Sequence, residues 1–318
     1  MTAIDELVTG VLSGDRRSIA KAISVVENNA KEAKRLVALL YPHTGKSHII
    51  GLTGAGGAGK STLADKIVRE YRQRGKKVGV VAVDPSSPFT GGAFLGDRIR
   101  MQELSTDHEV FIRSMATRNY PGGIAKATKD AVRVMDASGK DVVIVETAGA
   151  GQSEVEIIKV AQTIVVVHAP GLGDEIQAIK AGIMEIADIF VVNKADRENA
   201  NKTVTDIQAN LQLDNKEARW KTPVLKTTAL TGEGVSELVQ KMEEHRQYLN
   251  QEPENRSLGR AEAELTEALQ ERIVDSILGN LKKEARFQEL LKKISDRKID
   301  PASAAEQLLK KAFESVKT

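Results

Sequence analysis

The segment 48–75, "HIIGLTGAGGAGKSTLADKIVREYRQRG", is compatible with very few folds. An apolar, β-branched run feeds a loop carrying Gly54-x-x-x-x-Gly59-Lys60-Ser61, and a helix-forming stretch follows at once. Such a loop cradles phosphate when it joins a strand to a helix. Its glycines let backbone N–H groups turn inward, and the helix adds its positive end. Gly54, Gly57, Ala58, Gly59, Lys60, Ser61 and Thr62 are therefore expected around the phosphates. Lys60 would place charge across the β- and γ-phosphates, and the Ser61 hydroxyl would be offered to Mg²⁺. The loop alone leaves open which nucleotide it holds and why the phosphate bond is broken.

The strand–helix alternation continues downstream. "KVGVVAVD", "EVFIRSM", "DVVIVET", "TIVVVHA", "DIFVVNK" and "PVLKTT" all have strand character, and several are apolar on both faces. That is the pattern of parallel strands covered by helices on each side, so the chain is expected to form an α/β, doubly wound, mostly parallel sheet of the P-loop NTPase type. Residues 3–40 are patterned as helix and stop at Tyr41-Pro42. After the polar linker "QEPENRS" no strand recurs, and Leu265, Leu269, Ile273, Ile277 and Leu281 make one apolar stripe on a long helix. That stripe packs back on its own domain or pairs with a second copy, and pairing is preferred. Asp300 and Pro301 suit the N-cap and first position of a final helix. The expected division is an N-terminal helical segment at 1–44, a nucleotide-binding domain at 45–250 and a C-terminal helical arm at 251–318.

Composition removes several function classes. Net charge is only +2 and aromatics are 3%, which argues against nucleic acid and membrane surfaces as partners. Cysteine is absent, so thiolate chemistry and Cys-based metal sites are excluded. No apolar run is long enough to span a bilayer and no signal-peptide pattern opens the chain, so a cytoplasmic location is expected. His43, His48, His108, His168 and His245 are scattered without metal-ligand spacing and are expected to be structural.

Base choice rests on Asn193-Lys194-Ala195-Asp196 at a strand end. A buried aspartate accepts hydrogen bonds from the ring N–H and exocyclic amino group of guanine, a pair adenine does not offer. Thr228-Ala229-Leu230, after the next strand, resembles the loop that contacts the guanine oxygen in GTPases. Asp84, Asp97 and Glu146 are the acidic candidates for holding Mg²⁺ and its waters. Asp84 also suits a turn before Pro85, and Asp97 a helix cap. Glu146-Thr-Ala-Gly149 stands where Asp-x-x-Gly is usual, with Gly149 placed to sense the γ-phosphate; Lys60, Asp97, Glu146 and Gly149 form the expected catalytic set. Gln152 could orient water or cap a helix, and Arg98 could reach the γ-phosphate or simply be solvated. No general base stands out, so slow intrinsic hydrolysis is expected.

In this order, "VAVDPSSPFTGGAFLGDRIRM", "ETAGAGQSE" and "PGLGDEIQAIKAGIMEIADIFVVNKAD" resemble the SIMIBI class of P-loop GTPases. Within it they resemble the G-protein chaperones of adenosylcobalamin-dependent acyl-CoA mutases, a family also labelled as lysine/arginine/ornithine transport ATPases. The resemblance spans roughly residues 5–318. It implies a homodimer built through the C-terminal arm. It also implies GTP hydrolysis that gates cobalamin delivery to, and protection of, a methylmalonyl-, isobutyryl- or hydroxyisobutyryl-CoA mutase, without cobalamin tightly bound to the chaperone itself. By position Asp84, Asp97 and Glu146 match the family's Mg²⁺-site acids, and Asp174, Gln177 and Lys180 match a mobile third switch that couples to the client. Gly56 stands where stand-alone members carry proline, a form closer to chaperones fused to isobutyryl-CoA mutase. Two other readings are a GTP-driven metal-insertion factor and a small-molecule kinase. The first calls for Cys or His clusters, and the second has no use for Asn193 to Asp196.

Overall fold

The computed structural model describes residues 2–28, 30–85, 104–117, 123–147, 149, 157–171, 183–213, 220–251, 253–282 and 284–314. Within these, β1 (His48–Thr53), β2 (Val78–Pro85), β3 (Val110–Thr117), β4 (Val142–Glu146), β5 (Thr163–His168), β6 (Ile189–Asn193) and β7 (Val224–Thr227) form one sheet. Its order is β3-β2-β4-β1-β5-β6-β7, and every pairing is parallel. The alternation of side chains sends Ile50 and Leu52 to one face of β1 and Ile49 to the other, and both sets are buried. This two-sided burial is why these strands are apolar runs rather than alternating ones.

One face is covered by α4 (Lys60–Gln73), whose Leu63, Ala64, Ile67, Val68 and Tyr71 recur at helical spacing and are buried. α8 (Val235–Leu249) joins it through Val235, Leu238, Val239 and Met242. The other face is covered by α5 (Gly123–Ala137) together with α1 (Ala3–Leu12), α2 (Arg16–Asn28) and α3 (Ala30–Leu40). Burial of each Leu or Ile side chain contributes about 1.5–3 kcal/mol, so the helical layer at the N-terminus is part of the sheet's own core. Two polar ties fix it: Arg16 donates to the Asp107 and Val110 carbonyls at 3.1 and 2.7 Å, and the Asp136 carboxylate accepts the Lys46 and Ser47 N–H groups at 3.2 and 2.9 Å. α6 (Ile183–Ile186) and α7 (Ala200–Leu213) complete the flank beside β6 and β7.

The chain divides into two compact units, Met1–Tyr248 and Leu249–Thr318. The second holds α9 (Pro253–Leu281), α10 (Ala285–Ser295) and α11 (Pro301–Glu314), with Leu281, Leu290, Ala304 and Leu308 as its buried cluster. Asp300 caps α11 through its carboxylate, which accepts the Ser303 N–H at 3.0 Å. Along α9 the stripe splits. Leu281 is buried, while Leu265, Leu269 and Ile273 are 62%, 51% and 52% exposed, and the Ile277 side chain lies outside the description. Among the described residues no helix is long and apolar enough to cross a membrane.

Candidate functional site

The phosphate-loop residues 54–59 join the C-terminal end of β1 to α4, with β4 and β5 on either side. Open α/β sheets place their ligands at such carboxyl ends. Lys60 is buried, and its ammonium donates to the Gly54 and Ala55 carbonyls at 2.6 and 2.9 Å. The Ser61 hydroxyl donates to Glu146 Oε1 at 2.5 Å, so the last residue of β4 meets the first turn of α4. Both oxygens are hard donors, one at a strand end and one in the first turn of a helix, the chemistry a magnesium ion selects. Gly149, three residues on, has φ +75°. A Cβ there would lie 2.2 Å from Lys60 Nζ and 2.9 and 3.0 Å from Gly54 O and Gly56 N. The chain after β4 thus presses backbone directly against the loop, which only glycine permits.

A second clasp comes from β6. Asn193 is buried; its amide N–H donates to the Ala58 carbonyl at 2.9 Å. Its carbonyl oxygen accepts from Thr227 Oγ1 and the Ala229 N–H, both at 3.1 Å. One side chain therefore joins the phosphate loop, the end of β7 and the loop after it. Lys194, in a left-handed conformation with φ 57°, donates to the Gly57 carbonyl at 2.7 Å. Thr228 and Ala229 are buried in a turn closed by the Thr228–Glu233 bridge, and Leu230 stands exposed on it. Asp196, expected as a buried carboxylate, is exposed: it follows β6 in a turn closed by the Arg197 N–H on the Lys194 carbonyl.

These contacts bring together Gly54, Gly57, Ala58, Gly59, Lys60, Ser61, Glu146, Gly149, Asn193 and Lys194, with Thr62 in the first turn of α4. Asp84 lies in β2 opposite Ala116, and its side chain is outside the description. Asp97, Asp174, Gln177 and Lys180 lie outside the described residues, as do Arg98 and Gln152. Gly56 is not left-handed, and a Cβ there would make an ordinary 3.6 Å contact with Gly149 O. The backbone therefore does not require glycine at 56.

Two contributors were not visible in the sequence. Thr147 Oγ1 donates to Thr53 Oγ1 at 3.1 Å, pinning the segment after β4 to the residue before Gly54; both side chains are buried. Thr227 is the other. A strand-end threonine beside each motif was the only signal either could give.

The family model described as "Methylmalonyl Co-A mutase-associated GTPase MeaB" matches residues 19–282. The chain belongs to the MeaB family. It is a GTPase, as its relatives are named, and the family binds GTP and GDP. It is similar to a Pyrococcus abyssi protein named as a GTPase, 49% identical over 312 residues and 96% of each chain. It is also similar to GTPase ArgK of Escherichia coli K12, 35% identical over 241 residues and 73% of each chain. The mouse "Methylmalonic aciduria type A homolog, mitochondrial" is 30% identical over 332 residues, covering 98% of this chain and 80% of the mouse protein. A crystal structure of an "LAO/AO transport system kinase" shares the fold, with TM-score 0.74 and 24% identity over 100% of this chain and 99% of that one. Among the described residues no group of three or more His, Cys, Asp or Glu is placed to hold a metal.

Proposed function

We propose that this GTPase is a cytoplasmic, homodimeric chaperone of an adenosylcobalamin-dependent acyl-CoA mutase, and that GTP hydrolysis gates cofactor loading and rescue of that mutase. The observation that carries the nucleotide half is the Asn193 clasp. It holds the phosphate loop and the 228–230 loop at a fixed separation, as guanine and triphosphate recognition by one molecule demands. The mutase half is supported by the family's description and by the name of the mouse relative. The homodimer is supported by the exposed stripe Leu265, Leu269 and Ile273, since such a patch on a helix marks an interface.

In the proposed site the 54–62 segment surrounds the phosphates. Lys60 exchanges the Gly54 and Ala55 carbonyls for β- and γ-phosphate oxygens. Asp196 accepts the guanine N–H groups and is buried by the base; Thr228, Ala229 and Leu230 line the base edge, and Lys194 lies along its face. Ser61 and Glu146 would hold Mg²⁺, with Asp84 and Asp97 as further acids. The ion would supply positive charge against the phosphate oxygens. Gly149 senses the γ-phosphate through its contact with the loop, and Asp174, Gln177 and Lys180 pass nucleotide state to the mutase. Adding each candidate acyl-CoA mutase in apo form and following GTP turnover tests the reading. Faster turnover with nucleotide-dependent cobalamin loading is expected. No response from methylmalonyl-, isobutyryl- or hydroxyisobutyryl-CoA mutase would end it.

A further inference from the structure

At the opposite end of the sheet from the nucleotide site, a line of buried polar groups crosses from one carboxylate to another. His245 Nε2 lies 3.3 Å from Asp188 Oδ1, and His245 Nδ1 lies 2.8 Å from Thr163 Oγ1. The same hydroxyl lies 2.7 Å from His48 Nε2, and His48 Nδ1 faces Glu243 Oε1 at 3.9 Å. His48, Thr163 and His245 are buried, while Asp188 and Glu243 are partly exposed. These groups come from β1, β5, α8 and the turn before β6, so no sequence neighbourhood announces them.

The shorter carboxylate contact favours one direction for the line. A carboxylate only accepts, and the Asp188 end is the closer contact, so His245 carries its proton on Nε2. Its Nδ1 then accepts from the Thr163 hydroxyl, whose oxygen in turn accepts from His48 Nε2–H. His48 Nδ1 is left as a lone pair facing the Glu243 carboxylate. Two acceptors confront each other there across a gap too long for a direct hydrogen bond. Tyr71, on α4, brings a buried hydroxyl that faces Glu243; it, His48 Nδ1 and Glu243 Oε1 make no hydrogen bond of ordinary length to protein. The three atoms amount to two acceptors and one donor, the complement of a single water. A water about 2.8 Å from each acceptor subtends the 3.9 Å separation at roughly a right angle.

We propose that His48, Glu243 and Tyr71 enclose a binding site for one water molecule, which completes a continuous proton relay from Glu243 through His48, Thr163 and His245 to Asp188. With that water in place every donor has an acceptor and both imidazoles are neutral. The groups facing His48 are Glu243, Arg246 and His245 from α8 and Tyr71 from α4. Burial opposes protonation of His48 most strongly, and Glu243 favours it. Below the usual imidazole range a proton from solvent adds to His48 Nδ1, which then donates to the water. The Thr163 hydroxyl transmits the change to His245.

Histidine ¹⁵N NMR on the full chain, with a high-resolution crystal structure, tests this. At neutral pH both rings are expected as Nε2–H tautomers, with one ordered water in reach of His48 Nδ1, Glu243 Oε1 and the Tyr71 hydroxyl. On acidification the His245 ring resonances should report the His48 transition. Thr163→Val should uncouple His245 from that transition, and Thr163→Ser, which keeps the hydroxyl, should preserve the coupling. An Nδ1–H tautomer at His48, a dry site with its three atoms ordered, or a His245 response unchanged by Thr163→Val would overturn the proposal. If Thr163→Val does not fold, uncoupled rings in Thr163→Ser would overturn it equally, and coupled rings there together with the Nε2–H tautomers support it.

Discussion

Replacing Gly149 by alanine separates what this residue does for the fold from what it does for hydrolysis. The new Cβ would sit 2.2 Å from Lys60 Nζ, against an ordinary contact of about 3.4 Å or more, so the ammonium must move by over an ångström. Lysine is flexible, but Lys60 is buried and donates to the Gly54 and Ala55 carbonyls, so this displacement breaks those hydrogen bonds. The Gly54 carbonyl and Gly56 nitrogen at 2.9 and 3.0 Å are backbone, so the loop itself must give by a few tenths of an ångström. A misplacement of about 1 Å at a reacting group lowers turnover on the order of 100-fold. Gly139 supplies the control: its φ is +82°, close to the +75° of Gly149, and a Cβ there meets nothing within 4 Å. Gly139→Ala therefore carries only the left-handed strain of about 1–2 kcal/mol. Chemical denaturation should show Gly149→Ala destabilised by more than Gly139→Ala, because the Gly54 carbonyl that its Cβ meets is backbone. Steady-state GTP turnover should be normal in Gly139→Ala and about 100-fold down in Gly149→Ala. Turnover within twofold of the parent in Gly149→Ala would refute the idea that this backbone contact positions Lys60.

Gly56→Ala should leave GTP turnover within about twofold and raise stability by about 0.4–1 kcal/mol in denaturant titrations, because the position is not left-handed and the added methyl makes an ordinary contact. Asp196→Asn should move nucleotide preference from GTP towards xanthosine triphosphate in competition binding, as the acceptor pair becomes one acceptor and one donor. Stability should also depend on pH with a defined sign. Burial, opposed by Glu243, holds the folded His48 pKa below its usual 6.5, so the unfolded chain takes up that proton first. Its contribution is full above pH 6.5 and is lost as pH falls through the lowered folded value. Urea titrations at pH 7.5 and 5.5 should show this, with a smaller difference in His48→Gln.

Local chemistry made the elements legible and left their assembly hidden. Each strand announces itself because a parallel strand covered on both faces must be apolar throughout, as "HIIGLT" and "DVVIVET" are. The order β3-β2-β4-β1-β5-β6-β7 is a matter of which strands pair, and periodicity within a strand carries no information about its neighbour. The same division runs through the site. Gly54 to Thr62 are contiguous, so their roles follow from one loop, whereas Asn193 meets Ala58 from the far side of β5, and only the sheet order brings them into contact. Asp196 lies in an exposed turn, because the carboxylate its motif supplies is one that the base itself would cover. His48 and His245, scattered in sequence, meet through one threonine hydroxyl.

The assembly has a mechanical consequence that the motifs do not express. Glu146 and Gly149 lie at and after the end of β4 on one side of β1, and Asn193 and Lys194 at and after the end of β6 on the other; they act on the phosphate loop and the first turn of α4. The loop is therefore gripped from both flanks. The β6 grip uses long side chains on carbonyl oxygens and can persist while the base stays bound. The β4 grip is a single glycine backbone against Lys60 and a single carboxylate on Ser61, so moving two residues releases it. In the proposed site, loss of the γ-phosphate is accordingly expected to be felt on the β4 side, leaving the Asn193 clasp in place. Hydrogen exchange in GDP against a GTP analogue should change around 146–149 and remain constant at Asn193 and Ala229. Equal changes on both flanks would refute this division of labour.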